Sequence, residues 1–194
     1  MFVALPVPEA GAEHLEEFLA PRQEAGPDLR WTVPEQWHVT LAFLPAVPDR
    51  ALDDLVGRLG RAAARRTPRE VRLAGGGAFP DPVDAKVLYA GVDGDPAALE
   101  EVERLAAGAR AAAVASGVEV QGGRFRPHVT VARSGRPLQA TRWLRVLDAY
   151  AGPRWPVTEI ALVASHLGEG PRRRPRHEVL ETFGVGGSDA ATQR

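Results

Sequence analysis

The segment His38–Ala42 returns ninety positions later at 128–132, and this repeat constrains the fold more than any other feature of the chain. Both copies read His-apolar-Thr-apolar-Ala, an alternation typical of a strand buried on one face. Side chains two residues apart lie on the same face of a strand. Each copy therefore presents one imidazole and one hydroxyl together. Two such strands facing each other would form a polar site of four side chains.

Composition indicates an ordinary globular chain, with 194 residues, 44% hydrophobic residues and a net charge of -1. The chain has no cysteine, which excludes disulfides, thiolate catalysis and thiolate-bound metal and fits a reducing compartment. The start, residues 1–6, lacks the basic region and apolar length of a signal peptide or membrane span. We therefore expect a cytoplasmic monomer that does not associate with membranes.

The charge pattern limits the kind of nucleic-acid partner. A near-neutral chain is a poor candidate for coating long nucleic acid by counterion release. Its basic residues are almost all arginine, with Lys86 the only lysine. Because the guanidinium fork suits phosphate, the composition is compatible with a small anion-binding site.

Helical and strand patterns alternate along the chain. Apolar spacing predicts helices at 9–19, 49–65 and 95–116 and strands at 2–6, 37–44, 70–78, 86–92, 124–133, 157–166 and 177–183. Residues 138–150 have helical spacing without a clear assignment. Gly75–Gly77 lacks the Lys-Ser/Thr of a phosphate loop and is predicted as a turn or bulge.

These elements predict an α+β fold. We expect two pseudo-symmetric lobes of mostly antiparallel sheet backed by helices, with a central cleft lined by the two His-x-Thr strands. Residues 1–184 would form this single bilobal domain, and residues 185–194 a flexible C-terminal tail.

Two histidines and two threonines in one cleft suit displacement at phosphorus. A neutral imidazole can take a proton from water while a protonated one gives a proton to a leaving oxygen. Threonine hydroxyls are poor bases but good donors to phosphate oxygens, where negative charge builds in the transition state. The residues thus favour paired acid and base catalysis.

Three alternatives compete with this interpretation. Zinc would need a third ligand, and neither motif carries a second His, Asp or Glu on its face; His166 is the remaining candidate. Serine hydrolase chemistry lacks its Gly-x-Ser-x-Gly elbow. A non-catalytic protein that binds a nucleotide or an RNA end is the third, although it has no need of two titrating groups.

The motifs and their surroundings resemble the 2H phosphoesterase superfamily. The similarity lies in the start Phe2-x-Ala-Leu-Pro, in Trp37–Leu44 and in Phe125–Arg133, and it runs from about Phe2 to Phe183. Within the superfamily the chain is most similar to the bacterial RNA 2',3'-cyclic phosphodiesterases, also called 2'-5' RNA ligases of the LigT type.

This resemblance implies a bilobal fold and hydrolysis of a 2',3'-cyclic phosphate to a 2'-phosphomonoester, without a metal or other cofactor. RNA ends or nucleoside 2',3'-cyclic phosphates would be the substrates, with a weak reversible 2'-5' joining activity. By the family pattern His38 is the proton donor and His128 the proton acceptor, while Thr40 and Thr130 hold the phosphate. Arg133 stands at the family position of a further phosphate contact.

Some positions depart from the family pattern or from strand alternation. Arg133 lies five residues after His128 and should point away from the site unless the strand bends, so a surface salt bridge is the alternative to a phosphate or substrate contact. Arg126 has the right alternation, although Pro127 distorts the strand between them. His177 stands after the run Arg172–Arg176, where relatives tend to have a tyrosine.

The few aromatic residues divide by their local context. Phe43 and Trp37 alternate away from His38, so we expect both in the core. Trp31 and Phe79 lie in predicted loops and are candidates to stack a base at the mouth of the cleft.

Overall fold

The computed structural model describes residues 1–26, 29–170 and 174–187 and contains two antiparallel sheets. The first sheet has the order β3-β1-β8-β9, with β1 Phe2–Pro6, β3 His38–Phe43, β8 Glu159–His166 and β9 Arg176–Gly184. The second has the order β2-β6-β5-β4-β7, with β2 Leu29–Trp31, β4 Glu70–Phe79, β5 Ala85–Gly94, β6 His128–Leu138 and β7 Trp155–Pro156. Each sheet thus contains one of the two motif strands.

Four helices complete the described part of the chain: α1 Glu9–Gln23, α2 Asp49–Ala64, α3 Pro96–Ala115 and α4 Thr141–Asp148. Helix α2 buries Leu55, Leu59 and Ala63, which recur every four residues and so lie on one face. Helix α3 begins at Pro96, where the missing amide hydrogen costs nothing, and the Asp95 carboxylate accepts from the Ala98 amide at 2.7 Å. These helices pack against each other and against strands of both sheets.

The predicted architecture is confirmed: an α+β fold of two mostly antiparallel lobes backed by helices, with the motif strands facing each other. One continuous apolar core runs through both lobes. A small separate cluster of Phe2, Ala4, Ala161 and Val163 covers the other face of the first sheet. This second cluster lies directly behind the first motif histidine, since Phe2 packs on His38.

Several element boundaries differ from the sequence-based prediction. Strands β2 and β7 were not expected, because two or three residues are too few to show an alternating pattern. The ambiguous segment 138–150 consists of the end of β6 followed by helix α4. Helix α1 continues past the predicted Leu19 to Gln23 with Pro21 in its last turn.

The first two residues of the predicted tail pack against the domain. Val185 is buried, and its amide donates to the Thr158 carbonyl at 2.8 Å, while the Gly186 amide donates to Ala63 at 3.3 Å. Residues 188–194 of the predicted tail lie outside the described residues. Across the part of the chain that the structure describes, every helix is too short or too polar to cross a membrane.

Candidate active site

Strands β3 and β6 bring the two motifs to one cleft. His38 and Thr40 line it from the first sheet, and His128 and Thr130 line it from the second. The alternate residues of each strand, such as Val39 and Val129, are fully buried on the opposite face. The alternation in the sequence therefore places all four polar side chains together, as predicted.

The two histidines are held in the same tautomer by the same kind of contact. His38 Nδ1 lies 2.8 Å from the Gln36 carbonyl oxygen, and His128 Nδ1 lies 2.7 Å from that of Arg126. Because a carbonyl only accepts, each Nδ1 carries the hydrogen and donates it. Each Nε2 is then left to take up or release a proton. The backbone carbonyl two residues before each histidine thus leaves Nε2 available for proton transfer.

Aromatic neighbours fix the orientation of both imidazoles. Phe2 stacks on His38 with ring centroids 4.4 Å apart and an angle of 16° between the planes. Phe79 and Tyr89 each place their ring centroid 5.0 Å from that of His128. Tyr89 has room for its ring because Gly77, on the neighbouring strand, has no side chain to overlap it. The predicted bulge is present between Leu73 and Gly76, with Gly75 at φ 62°.

Burial makes both histidines hard to protonate in the free protein. It lowers the pKa of His38 to about 4, and the nearby His177, His128 and Arg133 act in the same direction. Burial also lowers the pKa of His128, with smaller effects from Arg133 and Arg126. The carbonyl contacts at Nδ1 oppose these shifts without overcoming them. Both imidazoles are therefore neutral at neutral pH in the free protein.

A bulge in β6 turns Arg133 into the cleft. Thr130 pairs with Tyr89 and Ala132 with Leu88, so Val131 is an extra residue that has no partner on β5. One extra residue reverses the alternation of the strand beyond it. Arg133 consequently lines the same cleft as His128 and Thr130. The bend that its position required is present.

The same bulge occurs in β3 and corrects the prediction for Phe43. Thr40 pairs with Ala4 and Ala42 with Val3, which makes Leu41 the extra residue. Phe43 was predicted in the core, but it lines the cleft and is 45% exposed. The prediction was wrong because it assumed unbroken alternation. Arg133 and Phe43 occupy equivalent positions, each five residues after its histidine.

The other aromatic and basic candidates differ in their position relative to the cleft. Trp37 is buried as predicted. Trp31 and Phe79 lie at the ends of strands β2 and β4 rather than in loops. Trp31 lines the cleft with its ring 5.5 Å from that of Trp143, and its role as a platform for a base stays a prediction. Phe79 stacks on Tyr89 at 4.6 Å, beside His128. Arg126 donates to the Tyr89 hydroxyl at 3.3 Å and supports the rings around His128.

His177 contributes a third imidazole to the cleft. Its ring centroid lies 5.4 Å from that of His38 and 5.1 Å from that of Phe2, both edge to face. Burial lowers the pKa of His177. The sequence marks this position only as the place where relatives tend to have a tyrosine. Arg172 and Arg173 of the preceding run lie outside the described residues.

Charge in the cleft has one sign. The cavity measures about 900 Å³, and among the described residues that line it are three arginines and three histidines but no Asp or Glu: Arg30, Arg133, Arg174, His38, His128 and His177. Within residues 1–26, 29–170 and 174–187, no three His, Asp or Glu side chains are grouped as metal ligands. His166, the candidate third zinc ligand, contacts Glu178 at 3.1 Å instead. This arrangement is suited to an anionic substrate and to proton transfer at two imidazoles.

Comparison with known proteins shows the family to which a chain with this paired His-x-Thr cleft belongs. The chain belongs to the 2'-5' RNA ligase superfamily, whose family model matches residues 7–169. It is 33% identical over 162 residues to the RNA 2',3'-cyclic phosphodiesterase of Thermus thermophilus, covering 82% of this chain and 77% of that protein. It is 29% identical over 185 residues to the protein of the same name from Geobacillus stearothermophilus, covering 94% of this chain. The chain spans 56% of the length of that second relative.

Solved structures show the same fold. The crystal structure of the Thermus thermophilus protein TT0787 has a TM-score of 0.73 and 28% identity and covers 96% of this chain and 97% of its own. E. coli LigT in its apo form has a TM-score of 0.74 with coverage of 96% of both chains. At 23% sequence identity, the similarity to E. coli LigT shows a shared fold and no more.

Proposed function

We propose that this protein hydrolyses RNA or nucleoside 2',3'-cyclic phosphates to 2'-phosphomonoesters by paired histidine catalysis. The observation that carries the proposal is the cleft itself, where two imidazoles with free Nε2 atoms and two hydroxyls face each other without a carboxylate among the described lining residues. The names of the curated relatives, RNA 2',3'-cyclic phosphodiesterases, support the substrate class.

In the proposed reaction, His128 Nε2 takes a proton from water as the water oxygen forms a bond to phosphorus. The bond from phosphorus to O3' breaks, and His38 Nε2 gives its proton to that oxygen. The products are a 2'-phosphomonoester and a 3'-hydroxyl, and the histidines return to their starting states by proton exchange with solvent. The two histidines have nearly equivalent hydrogen bonds, which do not distinguish the proton donor from the acceptor. The family resemblance supports His38 as the donor and His128 as the acceptor.

The remaining cleft residues would hold the substrate in place. Thr40 and Thr130 donate to the non-bridging phosphate oxygens, and the Arg133 guanidinium stabilises their charge. Phe43 offers an exposed aromatic face on the opposite side, where a base can stack. The bound anion raises the pKa of His38 and so supplies the protonated donor that the free protein lacks.

A turnover assay on a nucleoside 2',3'-cyclic phosphate with EDTA present tests this function. We expect hydrolysis at the same rate with and without chelator and a product with its phosphate only on O2'. Binding without turnover would instead support the alternative of a nucleotide or RNA-end binding protein. A rate abolished by EDTA and restored by zinc would contradict the metal-free mechanism. Weak 2'-5' joining, a monomeric state and a cytoplasmic location stay predictions.

The pH dependence of turnover should differ between the free protein and the complex. In the free protein the pKa of each histidine lies below its usual value, so the protonated donor becomes scarce as pH rises. We therefore expect kcat/KM, which reports the free protein, to have its alkaline limb below about pH 6.5. The bound anion raises these pKa values, so the alkaline limb of kcat should lie at higher pH.

Steady-state kinetics across the pH range measure both limbs. A rate that rises steadily to high pH would contradict the pair and indicate hydroxide or a metal-bound nucleophile. Coincident limbs for kcat and kcat/KM would show that the substrate anion does not assist protonation.

A further inference from the structure

The cleft continues beyond the two histidines. Its volume of about 900 Å³ is near the top of the range of about 300–1,000 Å³ that small-molecule sites occupy. The additional wall is built from β2 and from the segment 174–175 that precedes β9. The cleft therefore extends past the residues available to hold the reacting phosphate.

Two arginines lie side by side on this wall. Arg30 on β2 is the direct register partner of Arg133 on β6, and both side chains are exposed and line the cleft. Side chains directly opposite on antiparallel strands are about 5 Å apart at Cβ, and like charges placed there are destabilising. Neither guanidinium has a hydrogen-bond or ion-pair partner among the described residues. A polyanion lying across both would remove this repulsion.

A third guanidinium is held next to this pair. Arg174 Nη2 donates to the Trp31 carbonyl at 3.4 Å, which places the half-buried Arg174 beside β2. Gln36 Nε2 donates to the Pro175 carbonyl at 2.7 Å and so holds the same segment. These two contacts fix residues 174–175 over the cleft.

The positive charge here is more than one cyclic phosphate needs. A cyclic phosphodiester carries a single negative charge, for which Arg133, the two threonines and the two histidines are already available. The chain as a whole has a net charge of -1, so the excess of arginine in the cleft is local. Further negative charges from the same substrate would account for it.

We propose that Arg30 and Arg174 bind the phosphodiester backbone of the nucleotides that precede the cyclic end of an RNA substrate. This inference rests on the proposed function. Because the contacts are to phosphate, they should add affinity without base preference and weaken with salt. Arg30 and Arg174 act as substrate-binding residues distant from the reacting bond.

Two substrates with the same reacting end test the inference: a nucleoside 2',3'-cyclic phosphate and a pentanucleotide that ends in one. We expect the wild-type protein to show a kcat/KM at least tenfold higher for the pentanucleotide at low salt. Arg30→Gln and Arg174→Gln should each lower kcat/KM for the pentanucleotide at least fivefold more than for the mononucleotide. Arg61→Gln, on the exposed outer face of α2, makes the same charge change away from the cleft and should leave the ratio unchanged.

A binding measurement keeps the inference separate from catalysis. The fluorescence anisotropy of a labelled pentanucleotide with a 2'-phosphate end gives affinity as a function of salt. Losing one phosphate contact should reduce the slope of log affinity against log salt by about 0.7. Equal affinities of wild type and both variants, or equal losses for the pentanucleotide and a nucleoside 2'-phosphate, would overturn the inference. Absence of turnover on both substrates would overturn the proposed function alone.

Discussion

His38→Ala and His128→Ala should each lower kcat for a nucleoside 2',3'-cyclic phosphate by a hundredfold or more. Each change removes one of the two proton-transfer groups, and general acid or base catalysis contributes about 10²–10⁴-fold. Each imidazole is positioned for its own role by a carbonyl contact at Nδ1 and by aromatic packing. Single-turnover kinetics with saturating protein measure the chemical step directly.

A histidine outside the cleft provides the matched control. His14 is exposed on α1, where its Nδ1 lies 3.4 Å from the Tyr150 hydroxyl oxygen, and it is not among the described residues that line the cleft, so His14→Ala should keep wild-type turnover. Melting temperatures of all three variants separate a catalytic loss from an unfolded protein. Full activity in a folded His38→Ala or His128→Ala variant would end the two-histidine mechanism.

Thr40→Val and Thr130→Val should each lower turnover by about tenfold to a thousandfold, whereas Thr→Ser should keep much of it. Valine is close to threonine in shape but lacks the hydroxyl that would donate to a phosphate oxygen. Serine keeps that donor on a smaller side chain. The pH profile should keep both limbs in every folded variant, because a hydroxyl that only donates a hydrogen bond does not transfer its proton in the reaction.

The opposite result is expected if each threonine merely fills strand space. Valine has the better strand propensity, and would then be tolerated as well as or better than serine. Thr182→Val, on the exposed strand β9 and outside the cleft, controls for the strand effect alone. Turnover and melting temperature of these variants distinguish the two roles. A folded Val variant that turns over at the wild-type rate would show that its threonine does not take part in catalysis.

The two histidines and two threonines of the site could be predicted from the sequence because their placement depends on residue identity and local alternation. His38 and Thr40, like His128 and Thr130, are two residues apart, and a strand places such residues on one face whatever surrounds it. The repeat then indicated that two strands share one site. The general class of fold followed from the same alternation of strand and helix patterns along the chain.

The position of Arg133 and Phe43 depended on pairing with other strands. A bulge exists only relative to a partner strand, and neither Val131 nor Leu41 differs from an ordinary strand residue in the sequence. The family pattern pointed to Arg133, while strand alternation pointed it away from the site. Only the register with β5 and β1 decided that both side chains turn into the cleft.

The sequence by itself determined the reacting groups, their arrangement on two strands and the class of fold, since these follow from residue type and from periods of two or about 3.6 residues. The tertiary structure alone decided the environment of those groups. His177 reaches His38 across more than a hundred residues of chain, burial lowers the pKa of His38 to about 4, and Arg30 comes to lie opposite Arg133. Such contacts join residues distant in sequence, where no local pattern records which strand, loop or side chain will be the neighbour.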